Sequence, residues 1–137
     1  MKILFICKHN RFRSKVGEAI FNSLNKNKNV FAESAGLIGS QNPTPDNVIL
    51  VMKEKGYDIL NRIPRRIDSI SINNYDLLVI DADNVDPKFF TSSGYNGKII
   101  WWKITDCPEE DILGIRERVD EIEKRVKKLI LELKSSS

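Results

Sequence analysis

Four short apolar runs, separated by segments with helical spacing, constrain the fold of this chain more than any other feature. The runs are rich in β-branched and aromatic side chains and cover residues 2–6, 30–34, 77–80 and 99–103. Strands that alternate with helices form a parallel sheet with helices on both of its faces. We therefore predict an α/β protein in which three α/β/α layers surround a four-stranded parallel sheet. The length of 137 residues indicates one domain over residues 1–137.

The segments between the strands carry helix signals. Residues 14–26 place apolar side chains at helical spacing. A second helix is expected after Thr44, which can cap it, with Pro45 at its first position and Gly56 at its end. We expect residues 59–74 to form a loop with one short helix.

The last predicted helix, residues 112–134, carries a single apolar stripe. Its members are Ile115, Val119, Ile122, Val126, Leu129 and Leu133. This spacing also fits a coiled coil. A helix packed on its own sheet is the favoured interpretation, because the stripe is short for a sustained heptad array.

Composition excludes several classes of function. The net charge is only +3 and the basic residues are spread along the chain, which argues against a nucleic-acid partner. No apolar run approaches the roughly 20 residues of a membrane span, so no membrane partner is expected. The chain has only two cysteines, Cys7 and Cys107. A small secreted domain usually carries more, so we expect a cytoplasmic protein with reduced thiols.

The loop between the first strand and the first helix is the strongest candidate site. It starts at Cys7, and Arg13 and Ser14 stand where the helix begins, six and seven residues later. In parallel sheets, ligands bind beyond the carboxyl ends of the strands. Backbone N–H groups at a helix N-terminus can cradle an anion, and an arginine fork can bind two of its oxygens. The pattern predicts an oxyanion site.

The same loop carries a candidate nucleophile. Backbone amides, Arg13 and the Ser14 hydroxyl should each favour the thiolate of Cys7, and cysteines in such surroundings have pKa values of about 3.5–7.5. The alternative is an inert buried thiol. His9 is the only histidine, and we favour a position lining the loop over a role in proton transfer. Asn10 is expected to shape the loop in a left-handed conformation.

If the bound oxyanion is an ester, its leaving oxygen needs a proton, so a carboxylic acid should lie near the anion. Four aspartates follow the third or fourth strand and should lie at the same edge of the sheet: Asp81, Asp83, Asp86 and Asp106. A turn or cap is the favoured interpretation for the first three. Asp106 can also simply open the turn before the last helix.

The loop Cys7-Lys8-His9-Asn10-Arg11-Phe12-Arg13-Ser14 resembles the C-x-x-N-x-x-R-S phosphate loop of the low-molecular-weight protein tyrosine phosphatases. Thioredoxin-coupled arsenate reductases share that fold and that Cys-x5-Arg loop. Residues 33–36, 76–84 and 104–108 resemble the family's S-A-G, D-x-I-x-x-M-D-x-x-N and V-P-D-P segments, in order and at similar spacing. The resemblance implies a phosphotyrosine phosphatase I-like fold with a flavodoxin-like strand order.

The resemblance also implies roles for single residues. Cys7 would form a phosphocysteine intermediate, Arg13 would bind the phosphate, and Asp106 would be the general acid. Asp81 and Asn84 would hold the surrounding loops. The substrate-binding residues would be Lys8, His9, Asn10, Arg11, Phe12 and Ser14. The expected substrate is a phosphorylated protein or a small phosphomonoester, and no cofactor is expected.

The chain departs from the phosphatase pattern beside the acid. The family's tyrosines are replaced by Cys107, Pro108 and Glu109, which leaves a preference for phosphotyrosine open. Other aromatic residues could form the substrate slot, although core burial is favoured for most of them. They are Phe89, Phe90, Tyr95, Trp101 and Trp102.

An arsenate reductase is the alternative function, with Cys7 acting together with Cys107 or an external thiol such as thioredoxin. The loop after the third strand lacks the cysteines of the usual reductase relay. Some reductases bind potassium through residues that here correspond to Asn10, Glu18, Ser34 and Asp68. A third alternative is a non-catalytic module that binds phosphate without turnover.

Overall fold

The structure is a computed structural model and describes residues 1–135. Its four strands are β1 (Lys2–Cys7), β2 (Phe31–Gly36), β3 (Leu77–Ile80) and β4 (Lys98–Trp101). They form one parallel sheet in the order β2-β1-β3-β4. This is the order of the first four strands of a flavodoxin-like sheet. The predicted four-stranded parallel sheet is confirmed.

The two central strands, β1 and β3, are buried on both faces of the sheet. The side chains of β1 from Ile3 to Ile6 and all four residues of β3 are buried. Parallel strands are covered by helices on both faces, so their sequences are continuous apolar runs without alternation. The edge strand β4 is only partly covered.

Four helices and two 3₁₀ turns complete the three layers. The helices are α1 (Arg13–Leu24), α2 (Asp46–Glu54), α3 (Lys88–Ser92) and α4 (Ile112–Ser135). Side chains of α1, α2 and α4 form one apolar cluster with one face of the sheet. On the other face, α3 packs together with the 3₁₀ turns Ile67–Ser69 and Ile72–Asn74.

The stripe of α4 packs within its own chain. Ile115, Val119, Ile122, Val126 and Leu129 are buried against the sheet and the helices beside it, and Leu133 is partly buried there. The interpretation as a packed helix is confirmed. Within residues 1–135, no helix is both long and apolar enough to span a membrane.

The structure confirms some of the local predictions about helix ends and loops and contradicts others. The side chain of Thr44 does not cap α2, because its hydroxyl donates to the carbonyl of Arg62 (3.4 Å) and the capping position is occupied by Pro45. Gly56 follows the end of α2 with a φ of 87°, as its role as a stop predicts. Residues 59–74 contain two 3₁₀ turns instead of one helix, and α3 was not predicted.

Backbone hydrogen bonds bring three loops to the carboxyl edge of the sheet. The N–H of Asp81, directly after β3, donates to the carbonyl of Ile6 in β1 (3.0 Å). The N–H of Asp83 donates to the carbonyl of Ile104 in the segment after β4 (2.9 Å). The loops that follow β1, β3 and β4 therefore meet above β1.

Candidate active site

The loop between β1 and α1 has a backbone that its sequence explains. Asn10 has a φ of 59°, the left-handed conformation predicted for it. Gly36, at the end of β2, packs directly on this loop. A Cβ at position 36 would lie 2.7 Å from the carbonyl carbon of His9 and 2.8 Å from the nitrogen of Asn10. Only glycine permits β2 to approach the loop so closely.

Asn10 is the centre of a buried hydrogen-bond network behind the loop. Its amide nitrogen donates to the hydroxyls of Ser14 (2.7 Å) and Ser34 (3.0 Å). Its amide oxygen accepts from the backbone N–H of Arg65 (2.8 Å). The Ser34 hydroxyl in turn donates to Glu18. This network holds the loop against α1, β2 and the residue-65 segment.

Cys7 lies at the base of the loop with its sulfur in contact with hydrogen-bond donors. Its Sγ lies 2.9 Å from the hydroxyl of Ser14 and accepts from the backbone N–H of Asn10 (3.3 Å). The residue is only 2% exposed, and it lines a cavity of about 220 Å³. Both contacts would stabilise negative charge on the sulfur.

The pKa of Cys7 differs in direction from the sequence-based expectation. Burial raises the pKa of this thiol, and a charge on Asp81 adds to the increase. Arg13 and the hydrogen bonds with Ser14 act in the opposite direction, but they do not outweigh burial. The sequence identified the stabilising partners, whereas the depth of the sulfur in the fold was not visible in it.

Arg13 is buried beside Cys7, and its guanidinium is held by several acceptors. Nη1 donates to the carbonyl of Ile104 (2.8 Å) and to the carboxylate of Asp83 (3.3 Å), and Nη2 donates to the side-chain oxygen of Asn84 (3.2 Å). The residue is 2% exposed and lines the same cavity. Asn84 thus joins the loops, as expected.

The predicted acid stands across the cavity from the loop. The carboxylate of Asp106 is exposed, and its Oδ2 lies 4.0 Å from Nη2 of Arg13. Its Oδ1 accepts from the backbone N–H of Cys107 (2.9 Å), which fixes the turn. The Cys107 thiol is free and lines the same cavity, and partial burial raises its pKa.

The predicted substrate-binding residues fall into two groups. His9, Arg11 and Phe12 line the cavity. The imidazole Nδ1 of His9 hydrogen-bonds with the carbonyl of Gly39 (3.0 Å), which agrees with a position lining the loop. The remaining three, Lys8, Asn10 and Ser14, do not line the cavity.

None of the proposed aromatic wall residues reaches the cavity. Phe90, Tyr95 and Trp102 are buried in the core, and Phe89 and Trp101 are partly exposed elsewhere. The walls are formed in part by Pro45, Val48 and Ile115, which carried no functional signal in the sequence. Pro108 and Glu109, which stand where the family has its tyrosines, complete them.

The expected potassium ligands are only partly brought together. Asn10, Ser34 and Glu18 are joined by hydrogen bonds. Asp68 is exposed and pairs with Arg66 (3.0 Å), without a hydrogen bond to the other three. Across residues 1–135, no three His, Cys, Asp or Glu side chains cluster as a metal site requires. Asp68 faces solvent, and the four-residue potassium site stays a prediction.

Comparisons with known proteins agree with this geometry. The family model described as low molecular weight phosphotyrosine protein phosphatase matches residues 2–137. A glutaredoxin arsenate reductase from Synechocystis is 26% identical over 136 residues, which covers 96% of this chain and 98% of that protein.

Solved structures of both kinds of enzyme are similar to this fold. An arsenate reductase from Archaeoglobus fulgidus has a TM-score of 0.78 and 30% identity, covering 93% of this chain and 98% of that one. A low molecular weight protein tyrosine phosphatase from T. tengcongensis has a TM-score of 0.76 and 26% identity, covering 96% and 99%. The chain belongs to the low molecular weight phosphotyrosine protein phosphatase family.

Proposed function

We propose that this protein hydrolyses phosphomonoesters, as a protein tyrosine phosphatase-like enzyme, through a phosphocysteine intermediate. One observation carries the proposal. A single cavity of about 220 Å³ is lined by the thiol of Cys7, the guanidinium of Arg13 and the carboxylate of Asp106. These are a nucleophile, an oxyanion-binding group and a proton donor.

The first step transfers the phosphoryl group to the enzyme. The thiolate is the nucleophile, so the proton of Cys7 leaves to solvent before attack. An Sγ–P bond then forms and the P–O bond to the leaving group breaks. Arg13 and the loop amides stabilise the charge on the phosphoryl oxygens. Asp106 gives its proton to the leaving oxygen.

The second step releases phosphate. Asp106, now a carboxylate, takes a proton from a water molecule that attacks phosphorus. The Sγ–P bond breaks, its electrons return to sulfur, and Cys7 is restored as a thiolate. Neither step requires a cofactor.

The walls of the cavity suit a substrate that carries an apolar group beside its phosphate. Val48, Pro108 and Ile115 provide apolar surface above the loop. A phosphorylated protein side chain or a small phosphomonoester is the proposed substrate. The two unpaired cysteines favour a reducing compartment, so we place the protein in the cytoplasm.

The test uses para-nitrophenyl phosphate and reduced protein from about pH 5 to about pH 8. Cys7→Ser should abolish turnover, and Asp106→Asn should lower kcat by about 10²-fold, the ordinary contribution of a general acid. Asp86→Asn is the matched control, since Asp86 lies on the loop after β3 and does not line the cavity. Phosphate binding without turnover by the wild-type protein would favour a non-catalytic module instead.

A second candidate, an arsenate reductase, is favoured by one specific observation. Both thiols of the protein are free and line the same cavity. Cys7 would attack arsenic with loss of water. Cys107 would then attack the sulfur of Cys7, so that an S–S bond forms, the S–As bond breaks and its electron pair reduces arsenate to arsenite. A small thiol or a thioredoxin-like protein would reduce the disulfide.

Cys107→Ser separates the two candidates. Arsenate reduction by this route requires the Cys107 sulfur, so arsenate-dependent oxidation of glutathione or thioredoxin should disappear in the variant. Hydrolysis of para-nitrophenyl phosphate does not require that sulfur and should persist. Failure of the wild-type protein to oxidise either thiol in the presence of arsenate would exclude the reductase.

A further inference from the structure

Asp81 is a buried carboxyl group that the reaction described above does not use. It follows β3 directly and is 0% exposed, and neither side-chain oxygen has a hydrogen-bond partner. Its backbone N–H donates to the carbonyl of Ile6, which places it beside Cys7 across the β1–β3 ladder. The fold has therefore placed an unpartnered carboxyl next to the candidate nucleophile.

The neighbouring helix leaves room for this side chain. Gly17 lies inside α1, where glycine costs about 1 kcal/mol relative to alanine. A Cβ at position 17 would lie 2.9 Å from Oδ2 of Asp81 and 2.5 Å from Cδ1 of Phe5. The surroundings of the carboxyl on this side are therefore apolar and tightly packed.

An ionised carboxylate is costly in such a place. Burial without hydrogen bonds disfavours the charged form of a carboxyl group far more than the neutral form. Burial raises the pKa of Asp81 to about 8, although Arg13 opposes the increase. Burial therefore favours the neutral acid at neutral pH.

We infer that Asp81 is a positioning residue for the proposed phosphatase reaction. When Asp81 is a neutral acid, it does not oppose a negative charge on the sulfur of Cys7. The guanidinium of Arg13 then pairs with the bound oxyanion and not with Asp81. If Asp81 were ionised, a second buried negative charge would oppose the thiolate and compete for the guanidinium. This inference rests on the proposed function for its role in catalysis, but the charge arrangement itself can be measured without turnover.

The charged groups around Asp81 support this division of charge. Arg13 approaches from α1 and Cys7 from β1. Asp83, on the same loop, and Asp106, after β4, approach the guanidinium at 3.3 Å and 4.0 Å, and both carboxylates are solvated. The buried guanidinium already has hydrogen-bond acceptors in Ile104, Asp83 and Asn84, so it does not require a charge on Asp81.

The test measures ionisation of Cys7 by its rate of alkylation with iodoacetamide, followed by mass spectrometry of the Cys7 peptide. Asp81→Asn keeps the shape of the side chain and mimics the neutral acid. Wild type and variant should therefore react at equal rates below about pH 7. Above about pH 8, where the wild-type carboxyl ionises, the variant should become faster, by up to about tenfold near pH 9. Asp86→Asn, on the same loop, is the matched control and should change the rate by less than about twofold at any pH, because Asp86 is exposed and does not line the cavity.

A measurement on the unmodified protein keeps the inference testable if Asp81→Asn does not fold. The carboxyl carbon of Asp81, followed by NMR in aspartate-labelled protein, should titrate at about pH 8. A midpoint near the ordinary value of 3.8 would overturn the inference. So would a variant that is faster than wild type over the whole range from about pH 5 upward, because Asp81 would then be ionised throughout.

These outcomes separate this inference from the proposed function. If the alkylation rates and the NMR titration are as expected but para-nitrophenyl phosphate is not hydrolysed, the proposed function fails and the neutral state of Asp81 stands. If hydrolysis depends on Cys7 and Asp106 but Asp81 titrates normally, only this inference fails.

Discussion

The floor and the mouth of the cavity differ in how firmly the fold holds them. We define the floor as Cys7 and Arg13, which line the cavity, together with Asn10 and Ser14, which lie behind them and contact the Cys7 sulfur; each of the four is at most 2% exposed. We define the mouth as Arg11, Asp106, Cys107 and Glu109. Here the side chains of Arg11, Glu109 and Asp106 are 28%, 50% and 54% exposed. The floor is joined by buried hydrogen bonds, whereas the mouth is in contact with water.

The floor provides groups that both candidate reactions would use, whereas the mouth provides the groups particular to each reaction. The floor presents a thiol, a guanidinium and backbone amides, which suit any tetrahedral oxyanion, and phosphate and arsenate have the same shape. The floor therefore cannot distinguish a phosphatase from a reductase. The mouth carries Asp106, the proposed acid for hydrolysis, and Cys107, the second thiol of the alternative reductase reaction.

The largest effect is expected from changing the guanidinium of the floor. Arg13→Lys keeps the charge but loses the planar fork, so kcat/KM for para-nitrophenyl phosphate should fall by about 10³-fold. Arg11→Lys, the same change at the mouth, should alter it by less than about threefold, because Arg11 is partly solvated. Similar losses in the two variants would contradict the distinction between floor and mouth.

Asp81, beneath the floor, should make the stability of the protein depend on pH. Its pKa in the folded state is about 8, above the ordinary value of 3.8. The folded state therefore binds the proton more tightly than the unfolded state does. The resulting stabilisation is complete below the unfolded pKa and is lost as pH rises toward the folded pKa.

Urea unfolding measures this loss. Between about pH 5 and about pH 8, Asp81 should lower the free energy of unfolding by about 3 kcal/mol, and this part of the pH dependence should be absent in Asp81→Asn. Asp106→Asn is the control from the mouth, and the pH dependence should remain in it because that carboxylate is solvated. Equal pH dependence in wild type and Asp81→Asn would show that Asp81 is not buried as a neutral acid.

Asn10 should stabilise the folded protein in two separable ways, through its side-chain hydrogen bonds and through its tolerance of a positive φ. Asn10→Ala removes the hydrogen bonds to Ser14, Ser34 and Arg65 and places alanine at a positive φ, so stability should fall by about 2 kcal/mol or more. Asn10→Gly loses the same hydrogen bonds but tolerates the backbone conformation, and it should be more stable than Asn10→Ala by about 1 kcal/mol. Chemical denaturation of both variants checks this, and equal losses would mean that backbone strain is not involved.

The sequence predicted the floor better than it predicted the mouth. Cys7, Arg13 and Ser14 stand close together in one loop, where local order fixes their geometry, and the conformation of Asn10 follows from its residue type. The mouth combines Arg11 with residues almost a hundred positions later. Val48 and Ile115 look like ordinary core residues in the sequence, and nothing local shows that they line a cavity.

The depth at which a side chain is buried also could not be predicted from the sequence. The partners that stabilise the Cys7 thiolate were identified, but the raised pKa depends on how much protein covers the sulfur. The frequency of aspartate in turns favours a turn at Asp81, and the family resemblance implies that it holds the surrounding loops. Its unpartnered carboxyl is visible only in three dimensions. The short helix α3 was missed because five residues carry too little helical periodicity.

The smallest effect is expected from the ion pair at the mouth. Arg11 and Glu109 lie 3.0 Å apart, but both are solvated, so Glu109→Gln should change stability by less than about 0.5 kcal/mol. The change removes a negative charge from the rim of the cavity, so KM for an anionic substrate should fall by less than about threefold while kcat stays the same. The difference in KM should disappear at high salt, because screening removes the contribution of exposed charges. A change in kcat, or an effect on KM that persists at high salt, would mean that Glu109 acts at the reacting atoms and belongs with the floor.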